Sequence, residues 1–385
     1  MLHMSQKMSA LSVNTPPATP PIAMVPRRSN FAADDWAGYF AARDNYLSRE
    51  IYPSLAGEEL REPLLRETDR VMFVPPEPEY AELYQMGVKL EDSNWNVAEV
   101  DFSHDLTDMA KLSKPELHFH LHVNGFFIVG DKVVNANLGE QILKRLKVPE
   151  AVYFGEVQVG QEAVHKHGYQ KGLGASLKNV EEIKKIASEL LKNPILQRKA
   201  QWLGNLATDD TPFAVVILAA ATTELVFFSG AFRYVFYLKK KHLFPGFCGL
   251  NDAIMRDEGA HARFDVAIYL LLQMKLPIEV VHMLIGEAVD IECDFFRECF
   301  AHGEAPGLTF EAMTDYIRYV ADSLCRMLQV PAIYNVVLSD ESMKELGLHQ
   351  VVDFFGHRVM EYTGFSVGEG LSASDRARLG EELLE

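Results

Sequence analysis

The chain has 385 residues, 48% of them hydrophobic, enough to bury a large core. A formal net charge of −17 excludes the broad basic surface that nucleic acid requires. The four cysteines contain no Cys-x-x-Cys pair and no framework, which fits a reducing, cytoplasmic setting. No phosphate-cradling glycine loop or dinucleotide fingerprint is present, so no nucleotide site is expected.

Residues 1–32 are rich in Met, Ser, Thr and Pro, with Pro16, Pro17, Pro20 and Pro21 close together, and read as a flexible tail. Thr15 and Thr19 each precede a proline there, the pattern a proline-directed kinase takes, although a plain solvated tail explains them as well. From residue 33 the sequence reads as mainly helical. Ser113-Lys114-Pro115-Glu116 is a capping box with Pro in the first turn, opening a helix through about Leu138. A second helix is expected from Pro149 and carries Glu162, His165 and Tyr169. A third spans roughly 211–240. Its stretch Phe213–Phe232 is apolar enough to cross a membrane, but Glu224 near the middle, beside Thr222 and Thr223, makes that costly. A buried helix carrying one functional acid accounts for both features, so no membrane partner is expected. Phe244–Gly249 breaks the pattern, and residues 239–250 are expected to fold back before a fourth helix with Glu258 and His261. Further helices are expected over 277–302 and 309–328.

The motif Glu-x-x-His occurs twice, at Glu162/His165 and Glu258/His261, and lone acids sit in apolar stretches at Asp131 and Glu224. A Glu and a His three apart share one helix face. Two such pairs plus one carboxylate from each of two more helices is the set that holds two metal ions in a four-helix bundle. Four carboxylates and two imidazoles also neutralise two divalent ions, leaving no large unpaired charge in a core. The fold class predicted is therefore all-α, a ferritin-like bundle around a di-metal site. His118, His120 and His122 look like another cluster, but residues two apart on a helix diverge, and they read as surface or packing histidines.

Arg256-Asp257-Glu258-Gly259-Ala260-His261 resembles the Arg-Asp-Glu-x-x-His motif of the class I ribonucleotide reductase small subunit. Phe227-Phe228-Ser229-Gly230, Leu238-Lys239-Lys240 and Pro245-Gly246 support the resemblance, as does Ser93-Asn94-Trp95 followed by Glu99-Val100-Asp101. It runs from about Glu62 to Phe365. The resemblance implies metal ligands Asp131, Glu162, His165, Glu224, Glu258 and His261, holding two Fe ions per chain or a Mn/Fe pair. It implies that Tyr169 bears a radical inside an apolar pocket of Phe228, Phe232 and Ile254. It further implies a relay through His165, Asp257 and Trp95, continued by Tyr362 to a large subunit on which ribonucleotides are reduced. A homodimer is expected, with residues 33–365 as its folded domain and 366–385 as a tail that docks on the large subunit.

Two departures from that family stand out. The Asn-Pro-Phe-rich segment is absent near Leu338–Glu341, and the acidic C-terminus ends on Leu383 and Leu384 rather than on a phenylalanine. Two rival functions use the same scaffold. A di-metal oxidase acting on an apolar ligand predicts a pocket widened into a channel and no Trp95/Asp257/Tyr362 route. A non-catalytic scaffold subunit predicts lost ligands, whereas all six are present.

Overall fold

The computed structural model describes residues 25–338 except 60, 177–187 and 190; side chains at 58, 128–140 and 176 are likewise outside the described set. Tyr362 and residues 366–385, the tail expected to dock, therefore lie outside the described residues. Packing begins ahead of residue 33: Val25 and Phe31 rest on the core, and the Arg28 guanidinium lies 4.4 Å over the Trp36 ring.

The described residues are mainly helical, with one isolated bridge between Ala305 and Leu308. After α1 (Trp36–Tyr46), α2 (Tyr52–Glu59) and α3 (Ala81–Asp92), the core is made by four long elements. The first is α5, Lys114–Asn137, preceded by a short helical turn α4 at Asp105–Asp108. Its expected capping box is present, with Ser113 N and Oγ donating to Glu116 Oε2 at 2.8 and 2.6 Å. Second comes α6, Pro149–Ser176, packed against α3 and α5. After α7 (Pro194–Leu206), α8 (Phe213–Thr222) and α9 (Phe228–Lys240) form the third, joined through a wide π turn, Thr223–Phe227. Fourth is α10, Pro245–Leu271, which packs on α6, α8 and α9. α11 (Ile278–Cys299) and α12 (Phe310–Met327) close the outside of the α8–α9 element.

The apolar stretch that raised a membrane span is 94% buried inside the protein, as the acid in its middle suggested. Glycine permits part of that burial: a Cβ on Gly230 would stand 2.0 Å from Phe296 Cε2, so only glycine lets α9 approach α11 this closely.

One expectation is corrected. Phe244–Gly249 is not a break with a long return; α10 already begins at Pro245. The reversal is confined to Lys241–Phe244, where His242 and Phe244 take positive φ of 53° and 54°. The helix start is stabilised from a distance. Asp105 accepts from the Gly246 and Phe247 amides at 2.9 and 2.7 Å, and Asp108 accepts from the Phe244 amide at 2.7 Å. Two carboxylates thus satisfy the orphan N–H groups and oppose the positive end of the helix. A tight turn brings Glu258 back to the depth of Glu224 without extra residues.

The candidate metal centre

Glu224 sits in the π turn rather than in regular helix. Such a turn inserts one residue into the helical spiral and re-aims the side chain it carries, a device concentrated at functional sites. The hydroxyls of Thr222 and Thr223 donate back to the carbonyls of Leu218 and Ala219 at 2.7 and 2.9 Å, easing the backbone into that bend.

One ligand-type atom each from Glu162, Glu224, Glu258 and His261 falls within 4.8 Å of the others, and all four residues are buried. His165 joins them: its Nδ1 lies 3.2 Å from Glu258 Oε1 and 3.5 Å from Glu162 Oε2. His261 Nδ1 likewise faces Glu258 Oε2 at 2.9 Å and Glu162 Oε1 at 3.2 Å. Five of the six expected ligands thus converge from three helical elements. Asp131 lies on α5, which packs against α6, and its side chain is outside the described residues.

Both imidazoles are oriented from behind. His165 Nε2 donates to Asp257 Oδ2 at 3.1 Å, and His261 Nε2 donates to Gln161 Oε1 at 3.0 Å. With Nε2 committed to these acceptors, Nδ1 is the nitrogen left facing the carboxylates, where it carries a proton until a metal displaces it, the arrangement found where histidine ligates a metal. Gln161 is itself held by Leu90 O and Asn94 Oδ1, both at 3.2 Å. Arg256 ties Asp257 Oδ1 at 2.9 Å to the Ser93 carbonyl at 2.7 Å.

The electrostatics point the same way. Burial would lower the pKa of His165, but Glu258, Asp257 and Glu162 outweigh it and hold it well above its usual range. His261 is raised to about 9, against its own burial, by the carboxylates of Glu162 and Glu258. Burial, together with the negative charge of Glu258 and Glu162, drives Glu224 well above the carboxylate range. Glu258 moves the other way: the two imidazoles overcome its burial and hold it low. Within the cluster, Glu162 Oε1, Glu224 Oε2, Glu258 Oε1 and His165 Nδ1 are buried without a well-formed hydrogen bond. Buried polar atoms are rarely left so, and a cluster of acceptors around one point fits cations. Carboxylate oxygen with imidazole nitrogen and no thiolate suits iron or manganese.

Tyr169 lies on α6 two turns past Glu162 and is 4% exposed. Its ring stacks on Phe127, centroids 4.6 Å apart, and its hydroxyl donates to Asn251 Oδ1 at 3.4 Å. Phe127 in turn meets Phe228 and Phe232 at 6.3 and 5.9 Å, and Ile254 is fully buried. On the other side of His165, Trp95 Nε1 donates to Asp257 Oδ2 at 2.7 Å, and the indole lies parallel to the His165 ring at 6.2 Å. Sequence reasoning missed Gln161 and Asn251. The available signal was an amide beside or two turns before a ligand, on helix faces that are otherwise apolar. His118, His120 and His122 stay outside this cluster, and His120 packs on Phe244 at 4.3 Å.

Comparison with known proteins agrees with this architecture. Residues 72–341 match the family described as "Ribonucleotide reductase, small chain". The ribonucleoside-diphosphate reductase small chain of Spisula solidissima is 34% identical over 330 residues, which is 86% of the present sequence and 85% of its own. A ribonucleoside-diphosphate reductase small chain of Arabidopsis thaliana is 34% identical over 313 residues, covering 81% of the present sequence and 91% of its own. The solved Rnr4 homodimer of Saccharomyces cerevisiae superposes with a TM-score of 0.68 at 26% identity, over 84% of the present sequence and 99% of its own. The dimanganese(II)-NrdF of Streptococcus sanguinis shares the fold, with a TM-score of 0.65 at 18% identity over 72% of the present sequence and 99% of its own. With a family match over most of its length, and relatives a third identical along nearly all of theirs, the protein belongs to the ribonucleotide reductase small-chain family and is a small subunit of ribonucleoside-diphosphate reductase.

Proposed function

We propose that Asp131, Glu162, His165, Glu224, Glu258 and His261 hold two iron ions, or iron with manganese, and that Tyr169 carries the radical used by a large subunit. The observation that carries this reading is the pair of imidazoles, each fixed at Nε2 by an acceptor and each facing the Glu162–Glu258 carboxylates through Nδ1. When bound there, the ions supply the reduction of dioxygen and the one-electron oxidation of a nearby side chain.

The residues provide the rest. The carboxylates of Glu162, Glu224 and Glu258 would supply the negative charge that holds the ions. Phe127, Phe228, Phe232 and Ile254 keep water from Tyr169, without which a phenoxyl would be quenched. Trp95, Asp257 and His165 form one continuous hydrogen-bonded path from the interior towards α3, suited to moving an electron with a proton. Tyr362 would extend that path to the large subunit. Membership of the small-subunit family implies that partner and a homodimer, and a cytoplasmic setting suits the four buried free cysteines.

A second reading, a di-metal oxidase of an apolar ligand, is favoured by one observation: a cavity reaches Glu224 and Glu258. The Trp95–Asp257–His165 path speaks against it, since an oxidase confined to its own ligand has no use for an exit route.

Anaerobic calorimetric titration with Fe(II) tests the proposal. Uptake of about two ions per chain, as in other bundles with this ligand set, and its loss in Glu224→Ala and His261→Ala are expected. No uptake, or uptake unchanged in both variants, would overturn it.

A further inference from the structure

The candidate ligands are almost sealed. Glu162, His165, Glu258 and His261 are each at most 2% exposed, and Tyr169 is covered by Phe127. A partly enclosed cavity of about 270 Å³ nevertheless ends on Glu224 and Glu258. Its inner wall includes Phe232 and Met255, and its outer wall is one stripe of α12: Tyr316, Val320, Ser323 and Arg326. Residues at this spacing share a helix face. Exposure rises steadily along the stripe, from Tyr316 at 3% and Val320 at 7% to half-buried Ser323 and exposed Arg326. The stripe therefore runs from the carboxylates to solvent. At the rim, Arg326 donates to Ser323 Oγ at 2.6 Å and lies 5.5 Å over the Tyr319 ring, which narrows the mouth.

The lining is mainly apolar, and apolar cavities in proteins stay dry and admit small apolar solutes such as xenon. Neither Trp95 nor Asp257 nor Tyr169 borders this space, so it is separate from the relay, and Phe232 is the wall it shares with the tyrosine pocket.

We propose that this cavity is the entrance by which dioxygen reaches the Glu224–Glu258 side of the metal centre, with Val320 and Ser323 forming its gate. The proposal rests on the metal-centre reading above. It assigns three approaches to three faces: oxidant past α12, radical storage beside α5, and electron transfer past Trp95.

Xenon binding to the metal-free protein, followed by ¹²⁹Xe exchange spectroscopy or in xenon-pressurised crystals, tests the cavity without any metal chemistry. Xenon is expected between Val320 and Glu258 in the unchanged protein and is expected to be excluded in Val320→Phe. Ser323→Phe, at the half-buried rim, serves should the deeper variant fail to fold. With iron loaded to the same stoichiometry, the plugged variant is expected to oxidise it roughly tenfold more slowly, equivalent to about 1.4 kcal/mol of barrier. Xenon bound elsewhere, or an oxidation rate unchanged by a plug that excludes xenon, would overturn the entrance. Failure of the unchanged protein to take up iron would overturn the metal-centre reading and the entrance with it, and is told apart by appearing without any substitution.

Discussion

The indole N–H of Trp95 donates to Oδ2 of Asp257 at 2.7 Å, and that same oxygen accepts from His165 Nε2 at 3.1 Å. A single carboxylate oxygen thus joins the buried Trp95 indole to a buried imidazole whose other nitrogen faces the carboxylate cluster. Asp257→Asn keeps the shape but cannot accept from both donors in the same way. Removing such an outer partner typically lowers metal affinity by about 10–100-fold. At saturating metal, turnover with the large subunit is nevertheless expected to stay low, because the transfer path is cut. Metal stoichiometry measured beside turnover checks this, and full turnover at saturating metal would contradict the relay.

The Tyr169 hydroxyl has an acceptor whose orientation is fixed. Asn251 Nδ2 donates to Phe247 O at 2.8 Å, which turns Oδ1 towards the phenol at 3.4 Å. Asn251→Leu is expected to shift the Tyr169 C–O stretch, isolated by infrared difference against Tyr169→Phe in metal-free protein. Asn251→Asp, which keeps an acceptor, should shift it less. An identical band in all three Tyr169-containing proteins would show that Asn251 does not position the hydroxyl.

Much of this architecture was legible because helix periodicity fixes which residues share a face. Glu162 with His165, and Glu258 with His261, had to point together, and the burial of Glu224 followed from an acid inside an apolar run. The Ser113–Glu116 cap was legible because both partners are local. The start of α10 was not, because its cap comes from Asp105 and Asp108, more than a hundred residues earlier in the sequence. The π turn at Thr223–Phe227 was also hidden, since no residue type marks a widened turn in an otherwise continuous apolar helix. Gln161 and Asn251 were missed for a similar reason: their roles depend on partners from other helices.

The cap of α5 also makes a pH prediction. Burial would raise the Glu116 carboxyl, but Lys241, Ser113 and Tyr237 hold it down at about 2, against an ordinary 4.5. The folded form favours the ionised group more than the unfolded form does. Its contribution is therefore complete above pH 4.5 and is lost as pH falls towards about 2. Glu116→Gln is expected to cost about 1 kcal/mol near neutral pH, below the usual range for charge-assisted bonds because Lys241 is solvent-screened. Thermal melts of both proteins across the acid range check this. A gap between them that persists at the acid end would contradict it.

The central claim is that this small subunit generates a radical on Tyr169. Low-temperature electron paramagnetic resonance after adding Fe(II) and dioxygen to metal-free protein tests it most directly, with Tyr169→Phe run in parallel. A tyrosyl signal in the unchanged protein and none in the variant is the predicted result. Iron uptake with no tyrosyl signal in the unchanged protein, or the same signal in both, would contradict it.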